Sequence, residues 1–127
     1  MKLNIFFWLY ILNAAINGLV YLFVPETGTK EAGLQITEPA AFIGFRFLGA
    51  ACLAIAALVY LLKVNFNTVN QKAALLILAS SSLLYIFVFI FYRQYWNSPQ
   101  AWLGVALHIT CCLGFGYYWL NSNKTTS

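Results

Sequence analysis

The chain alternates between long apolar runs and short polar segments. Charged residues and prolines separate four apolar stretches, which cover residues 3–24, 40–62, 73–92 and 100–120. About 20 apolar residues are needed to cross a hydrocarbon core of about 30 Å, so each stretch is long enough to span a membrane. Because hydrocarbon offers no partner to backbone N–H and C=O groups, isolated spans of this kind form α-helices. The pattern predicts an all-α fold with four transmembrane helices.

The boundaries of these spans carry residues that begin helices. Ser98 suits an N-cap and Pro99 the first helical position, and Pro39 precedes the second span. The connections are short, which favours antiparallel neighbours in one up-down bundle. The first span continues through Gly18 to Val24 without a small-x-small cleavage site, so we expect a retained span and not a removed signal peptide.

Composition supports one small membrane domain covering all 127 residues. Hydrophobic residues make up 62% of the chain and charged residues 8%, whereas soluble domains have about 45–50% and about 25%. A soluble domain of this size could not bury so much apolar surface. The net charge of +4 comes from seven basic and three acidic residues. These charges are too few and too scattered for a nucleic-acid partner, and a disordered chain is also excluded.

The distribution of basic residues predicts the orientation. With the N-terminus inside, four basic residues lie on the inner side, namely Lys2, Lys63, Lys72 and Lys124, and two on the outer side, Lys30 and Arg93. This excess predicts that both termini are cytoplasmic. Aromatic residues expected at the two interfaces are Tyr95, Trp96 and Trp102 outside and Tyr60, Tyr117, Tyr118 and Trp119 inside.

Polar side chains within the spans lie at similar depth. Counted from the outer end of each span, Arg46, His108, Asn17 and Tyr85 are six to eight residues in. At about 1.5 Å per residue, each helix places one polar group about 9–12 Å below the outer boundary. Arg46 and His108 are the strongest candidates, because ionisable groups in membrane helices commonly mark functional sites.

Helical spacing favours a shared pocket for these groups. Asn13 lies four residues from Asn17, and Ser81 four residues from Tyr85, so each pair shares a helix face. If these faces point inward, they form a polar pocket that opens outward. Arg46 would hold an anionic or carbonyl group through charge-assisted hydrogen bonds, His108 and Tyr85 would orient it, and Asn17 would complete the wall.

A purely structural interpretation stays open. Arg46 could extend toward headgroup phosphates or pair with Glu38 or Glu26, while His108 and the asparagines only join helices. Metal binding is not expected, since one histidine and no acid in the spans cannot supply the ligands. The cysteines lack CxxC spacing and are expected to be reduced apolar thiols, and no nucleophile with an activating partner is evident. Catalysis and cofactors are therefore left unassigned.

The layout resembles that of the small DoxX-like four-helix membrane proteins of bacteria. The likeness includes a glycine-containing outer loop that ends at Pro39, followed by Gly44-Phe45-Arg46-Phe47-Leu48-Gly49 in the second span. The resemblance implies a four-helix bundle in the bacterial inner membrane and an association with a quinone-linked or redox membrane complex. Of functional residues, it carries over Arg46 and its flanking glycines alone.

We expect an outward-facing intramembrane pocket for a small or lipid-like ligand, either quinone-like or anionic. The predicted ligand-binding residues are Arg46, His108, Tyr85, Asn17, Asn13 and Ser81. One alternative is a non-catalytic accessory subunit that docks on a larger membrane complex. Another is a small transporter or channel, although the first span lacks the acid used by small multidrug exporters. Expected partners are membrane lipid, the ligand, and a membrane protein or second copy.

Overall fold

The structure, a computed structural model, describes residues 2–67, 70–95 and 98–122. These residues form five α-helices: α1 Leu3–Phe23, α2 Pro25–Glu31, α3 Ala41–Val64, α4 Gln71–Phe91 and α5 Pro99–Asn121. The all-α prediction is confirmed, and each predicted span matches a long helix to within two residues at either end. Trp96 and Lys124, which entered the interface and orientation predictions, lie outside the described residues.

The helix starts follow local capping chemistry. Ser98 Oγ accepts a hydrogen bond from the Ala101 amide at 3.1 Å, and proline occupies the first turn of α5, as the sequence predicts. The Asn70 side chain caps α4 in the same way, also at 3.1 Å, through the Ala73 amide. Such caps satisfy amides that have no partner within the helix. The two caps fix where the third and fourth spans begin.

The short helix α2 was not expected from the sequence, where its residues belong to the first outer loop. Pro25 stands at its start, and the Thr29 hydroxyl donates to the Pro25 carbonyl at 2.9 Å. A Cβ at Gly28 would lie 2.7 Å from Cγ1 of Val20, so glycine lets α2 fold back against the end of α1. Gly33 then ends the turn with φ 84°, a conformation that favours glycine. The loop therefore covers one end of the bundle.

Helix α1 occupies the middle of the bundle. It packs against α3 on one side and α5 on the other, and α4 packs mainly on α5. Chain-adjacent spans therefore pair as α1 with α3 and α4 with α5. The main core cluster draws on all four long helices, at the end of the bundle that carries the termini, and Phe115 at its centre is fully buried.

The lipid-facing surface is apolar. Each of the four long helices is long and apolar enough to cross a membrane. Large hydrophobic side chains such as Phe47, Ile77 and Leu113 point outward and are mostly exposed. A soluble protein rarely carries so much contiguous apolar surface, whereas a bilayer solvates it. These features support an integral membrane protein.

Candidate functional site

A hydrogen-bonded group of three polar side chains joins α1 to α5. The Asn17 side-chain amide donates to the Asn13 backbone carbonyl at 2.8 Å and to Asn13 Oδ1 at 3.0 Å. Asn13 Nδ2 in turn lies 3.3 Å from His108 Nε2. Polar groups buried between helices require partners. The contact between Asn13 and His108 therefore favours the rotation of α1 and α5 about their axes that turns these two side chains toward each other.

The network determines the tautomer of His108. A backbone carbonyl can only accept, so the Asn17 nitrogen that reaches it must donate, and Asn13 Oδ1 therefore accepts from the same amide. Asn13 then presents its NH2 group to His108 Nε2, which must accept. An imidazole that accepts at Nε2 carries its proton at Nδ1. His108 is thus the neutral Nδ1–H form in this arrangement.

Aromatic rings enclose the imidazole. Tyr85 of α4 stacks on His108 with ring centroids 3.9 Å apart and an interplanar angle of 23°. Tyr10 of α1 meets the same ring edge-on at 5.8 Å, and its hydroxyl lies 3.0 Å from Ser81 Oγ. Ser81 Oγ donates to the Leu78 carbonyl, so the Tyr10 hydroxyl is the donor in this pair. Side chains from α1 and α4 therefore hold His108 of α5 in place.

Two buried polar atoms near this stack have no partner among the residues that the structure describes. They are His108 Nδ1 and Ser82 Oγ. Ser82 is completely buried and lies one helical turn from Tyr85 on α4. Burying a donor or acceptor without a hydrogen bond costs about 1–3 kcal/mol. Both groups are hydrogen-bonding positions that the protein itself does not use.

A cavity of about 510 Å³ lies beside the network, at the end of the bundle away from the termini. Its walls come from α1, α2 and α5, and Tyr85 of α4 adds to them. Most lining side chains are apolar. The polar ones include Asn13, Asn17, Tyr21 and Tyr85. Two more are Glu31, at the end of α2, and Gln100, in the first turn of α5. A Cβ at Gly104 would lie 3.2 Å from the Tyr85 hydroxyl, so glycine leaves room for that group.

One hydrogen bond connects two of the segments that line the cavity. Gln100 Nε2, in the first turn of α5, donates to Glu31 Oε2 at the end of α2 over 2.9 Å. Both residues line the cavity. This bond connects α2 to α5, and no residue of α2 belongs to either hydrophobic core cluster. Glu31 is thereby held on the cavity wall, at the end of the bundle away from the termini.

Of the six predicted site residues, the structure brings Asn13, Asn17, Tyr85 and His108 into one connected group. Ser81 joins it indirectly through Tyr10, which also contacts His108. Asn13, Asn17 and Tyr85 line the cavity, while His108 and Ser81 stand behind its wall. Four of these five residues come from just two helix faces, on α1 and α4.

Arg46 does not join this group, which corrects the expectation that it faces His108 inside the bundle. Its side chain is exposed on α3 and does not line the cavity. Within the described part of the chain it has no hydrogen bond or ion pair, so the pairing with Glu26 or Glu38 is not formed either. Equal depth in the membrane fixes only the position of a residue along its helix axis, and it does not fix the direction in which the side chain points. The rotation of α3 is set by Gly49, Ala56 and Val59, which are the buried residues of that helix.

Sequence reasoning missed Tyr10, Tyr21, Glu31 and Gln100. Tyr10 was within reach, because the spacing of three and four residues from Tyr10 through Asn13 to Asn17 puts all three on one helix face. Tyr21 continues the same row by another four residues. The contact of Glu31 with Gln100 beside the cavity depends on where α2 packs, and no periodicity in the loop sequence predicts that packing.

The cysteines form no site of their own. All three are free thiols; Cys111 is buried with its Sγ 4.0 Å from the Phe6 carbonyl, and Cys52 and Cys112 are half-buried. Among the described residues, no group of three or more His, Cys, Asp or Glu side chains could hold a metal ion.

Comparisons with family models, with curated proteins and with solved structures find no match to this chain. The resemblance to DoxX-like proteins therefore stays an expectation from the sequence. The class that the structure supports is an integral membrane protein with four spanning helices.

Proposed function

We propose that this membrane protein binds a small or lipid-like molecule in the cavity between α1, α2 and α5. The volume of about 510 Å³ is within the range of ligand pockets, about 300–1,000 Å³. Mostly apolar walls with a few convergent polar groups are typical of such pockets. An apolar tail would contact side chains such as Leu12, Ile16 and Leu103, and a polar headgroup would contact the tyrosines and Asn17.

The observation that carries this proposal is a set of unused hydrogen-bonding groups on the cavity walls. Within the described residues, the hydroxyls of Tyr21 and Tyr85 and Oδ1 of Asn17 have no hydrogen-bond partner. The hydroxyls can donate to a carbonyl or hydroxyl, and the amide oxygen can accept from a hydroxyl. His108 and Asn13 act as positioning residues, since they hold the Tyr85 ring and the Asn17 amide.

The location of the protein is proposed on separate grounds, which come from the sequence. We place the protein in a bacterial inner membrane on the basis of the DoxX resemblance, with cytoplasmic termini on the basis of the basic residues. The cavity then opens toward the outer face.

Native mass spectrometry of the protein extracted in mild detergent tests the binding proposal. The wild type is expected to carry a non-covalent small-molecule adduct, because mild extraction retains a ligand that hydrogen bonds and apolar contacts hold in the cavity. Tyr85→Phe should reduce the adduct about fivefold to tenfold, since it removes one hydrogen bond worth about 1 kcal/mol. Tyr95→Phe is the matched control, because Tyr95 is exposed outside the cavity. No adduct on the wild type, or equal loss in both variants, contradicts the proposal.

One observation favours the accessory-subunit alternative as a second candidate. Arg46 is exposed on a membrane helix, and a charged group there needs water, phosphate or a counter-charge. A partner helix or second copy that carries an acid would supply it. The same spectra decide this point. A bound protein mass that Arg46→Leu removes would favour docking, and a wild-type spectrum with protomer masses alone would exclude it.

A further inference from the structure

We propose that Glu31 makes the cavity selective for uncharged amphiphiles and against anionic ones such as ionised fatty acids or phosphate monoesters. This inference rests on the proposed binding function and names its ligand class. Of the two headgroups that the sequence left open, it keeps the carbonyl and drops the anion, because the anionic expectation depended on Arg46.

Among the described residues, the cavity is lined by acidic charge and by no basic charge. Of the described residues that line it, Glu31 is the single charged one. The bases nearest this end of the bundle, Lys30, Arg46 and Arg93, are all exposed and do not line the cavity. An anionic headgroup would therefore meet a carboxylate on the cavity wall and find no base among the described lining residues.

The position of the carboxylate is built into the fold. Gln100 holds it through the 2.9 Å hydrogen bond, and α2 is fixed against α1 by the close packing of Gly28 on Val20 and Tyr21. The N-terminus of α5 carries a partial positive charge that could attract an anion. Glu31 already lies beside this end, since its partner Gln100 is in the first turn of the helix. The partial positive charge at the start of α5 is thus offset by Glu31.

The interior groups suit a neutral headgroup. Tyr21, Tyr85 and Asn17 offer uncharged donors and one acceptor, which match an alcohol, ester or quinone-like carbonyl. An ion placed among them would lose its hydration without gaining a counter-charge, which is unfavourable in an apolar site. The uncharged wall groups and the Glu31 carboxylate therefore both disfavour an anionic headgroup.

Two photoactivatable probes that differ only in their headgroup test this inference. They are dodecanol and dodecanoate analogues, used at neutral pH with the full protein in nanodiscs of zwitterionic lipid. Saturable labelling of cavity residues is measured by mass spectrometry of the digested protein. The ratio of alcohol to carboxylate labelling is compared between variants, so that different partitioning of the probes into lipid cancels.

Glu31→Gln is expected to raise carboxylate labelling about threefold to tenfold and to leave alcohol labelling unchanged. The range is modest because Glu31 is exposed and solvent screens its charge. The amide side chain retains an oxygen that can accept from Gln100, so α2 should stay in place, and an unchanged unfolding temperature would verify this. Glu38→Gln is the matched control, because Glu38 is an exposed acid of the same loop that does not line the cavity.

The outcomes separate the two proposals. If neither probe labels the cavity saturably, the binding function itself is wrong. If the alcohol labels and Tyr85→Phe weakens that labelling, but Glu31→Gln leaves the ratio unchanged, binding stands and the role of Glu31 is wrong. An equal change in Glu31→Gln and Glu38→Gln would assign the effect to the general charge of the loop, which also contradicts the inference.

Discussion

His108 illustrates how one buried side chain acquires a defined state from its neighbours. The imidazole receives a hydrogen bond at Nε2 from Asn13, is covered by Tyr85 and is met at its edge by Tyr10. The orientation of Asn13 is itself set by Asn17, whose amide is anchored to a backbone carbonyl. Interhelical hydrogen bonds of this kind contribute about 0.6 kcal/mol on average in membranes. Their larger effect here is to specify which atoms donate.

The tautomer can be measured directly, because the chain contains one histidine. With isotope-labelled histidine, nitrogen NMR of the protein is expected to show a protonated Nδ1 and an unprotonated Nε2. Asn13→Leu removes the donor to Nε2 and should shift the resonances toward a mixture of tautomers. Asn121→Leu serves as control, because Asn121 bonds only within its own helix in the described contacts. A wild-type spectrum of the Nε2–H form would show that the network is arranged differently.

The long helices and the site differ in how far the sequence predicts them. The spans were predicted to within two residues because lipid demands about 20 apolar residues, whatever the tertiary structure. Asn13 and Asn17 were placed on one helix face because four residues separate them, and the structure joins them by a hydrogen bond. Arg46 has no polar residue three or four positions away on α3, so nothing in the sequence fixed its direction. Helix α2 was missed because seven mostly polar residues look like a loop.

The crossing of α1 and α3 depends on two glycines. A Cβ at Gly18 would lie 2.7 Å from Leu53 Cγ, and one at Gly49 would meet the backbone of Leu22. Small residues allow membrane helices to approach this closely. Because lipid tails are as apolar as the side chains, helix association in a membrane depends on van der Waals contact and not on the hydrophobic effect. This contact places α1 and hence the polar row that faces the cavity.

Gly49→Ala is expected to destabilise the fold by about 1–3 kcal/mol, because the added methyl group meets backbone that cannot rotate away. Gly44→Ala is the matched control on the same helix, since a Cβ there has nothing within 4 Å. Alanine is the better helix former by up to about 1 kcal/mol, so this variant should be neutral or more stable. Thermal unfolding in detergent measures both. Equal stability of the two variants would show that α1 and α3 do not approach as closely as described.

The bundle is asymmetric from one end to the other. Aromatic and aliphatic side chains fill the end with the termini, where Phe7, Leu78 and Phe115 form a continuous core. The opposite end holds the polar network, the cavity and the covering helix α2. Under the proposed binding function, the direction of the chain in the membrane decides from which side a ligand enters.

Cysteine accessibility in intact cells decides that direction. In a background with Cys52, Cys111 and Cys112 replaced by Ala or Ser, which should fold normally because these thiols are unpaired, single cysteines are placed at Glu38 and Asn67. Both positions are exposed and lie at opposite ends of α3. The excess of basic residues on the side of Lys63 and Lys72 predicts that an impermeant reagent labels the first position and reaches the second only after the cells are opened. The reverse pattern would turn the cavity toward the cytoplasm, and labelling of both positions in intact cells would indicate mixed orientation.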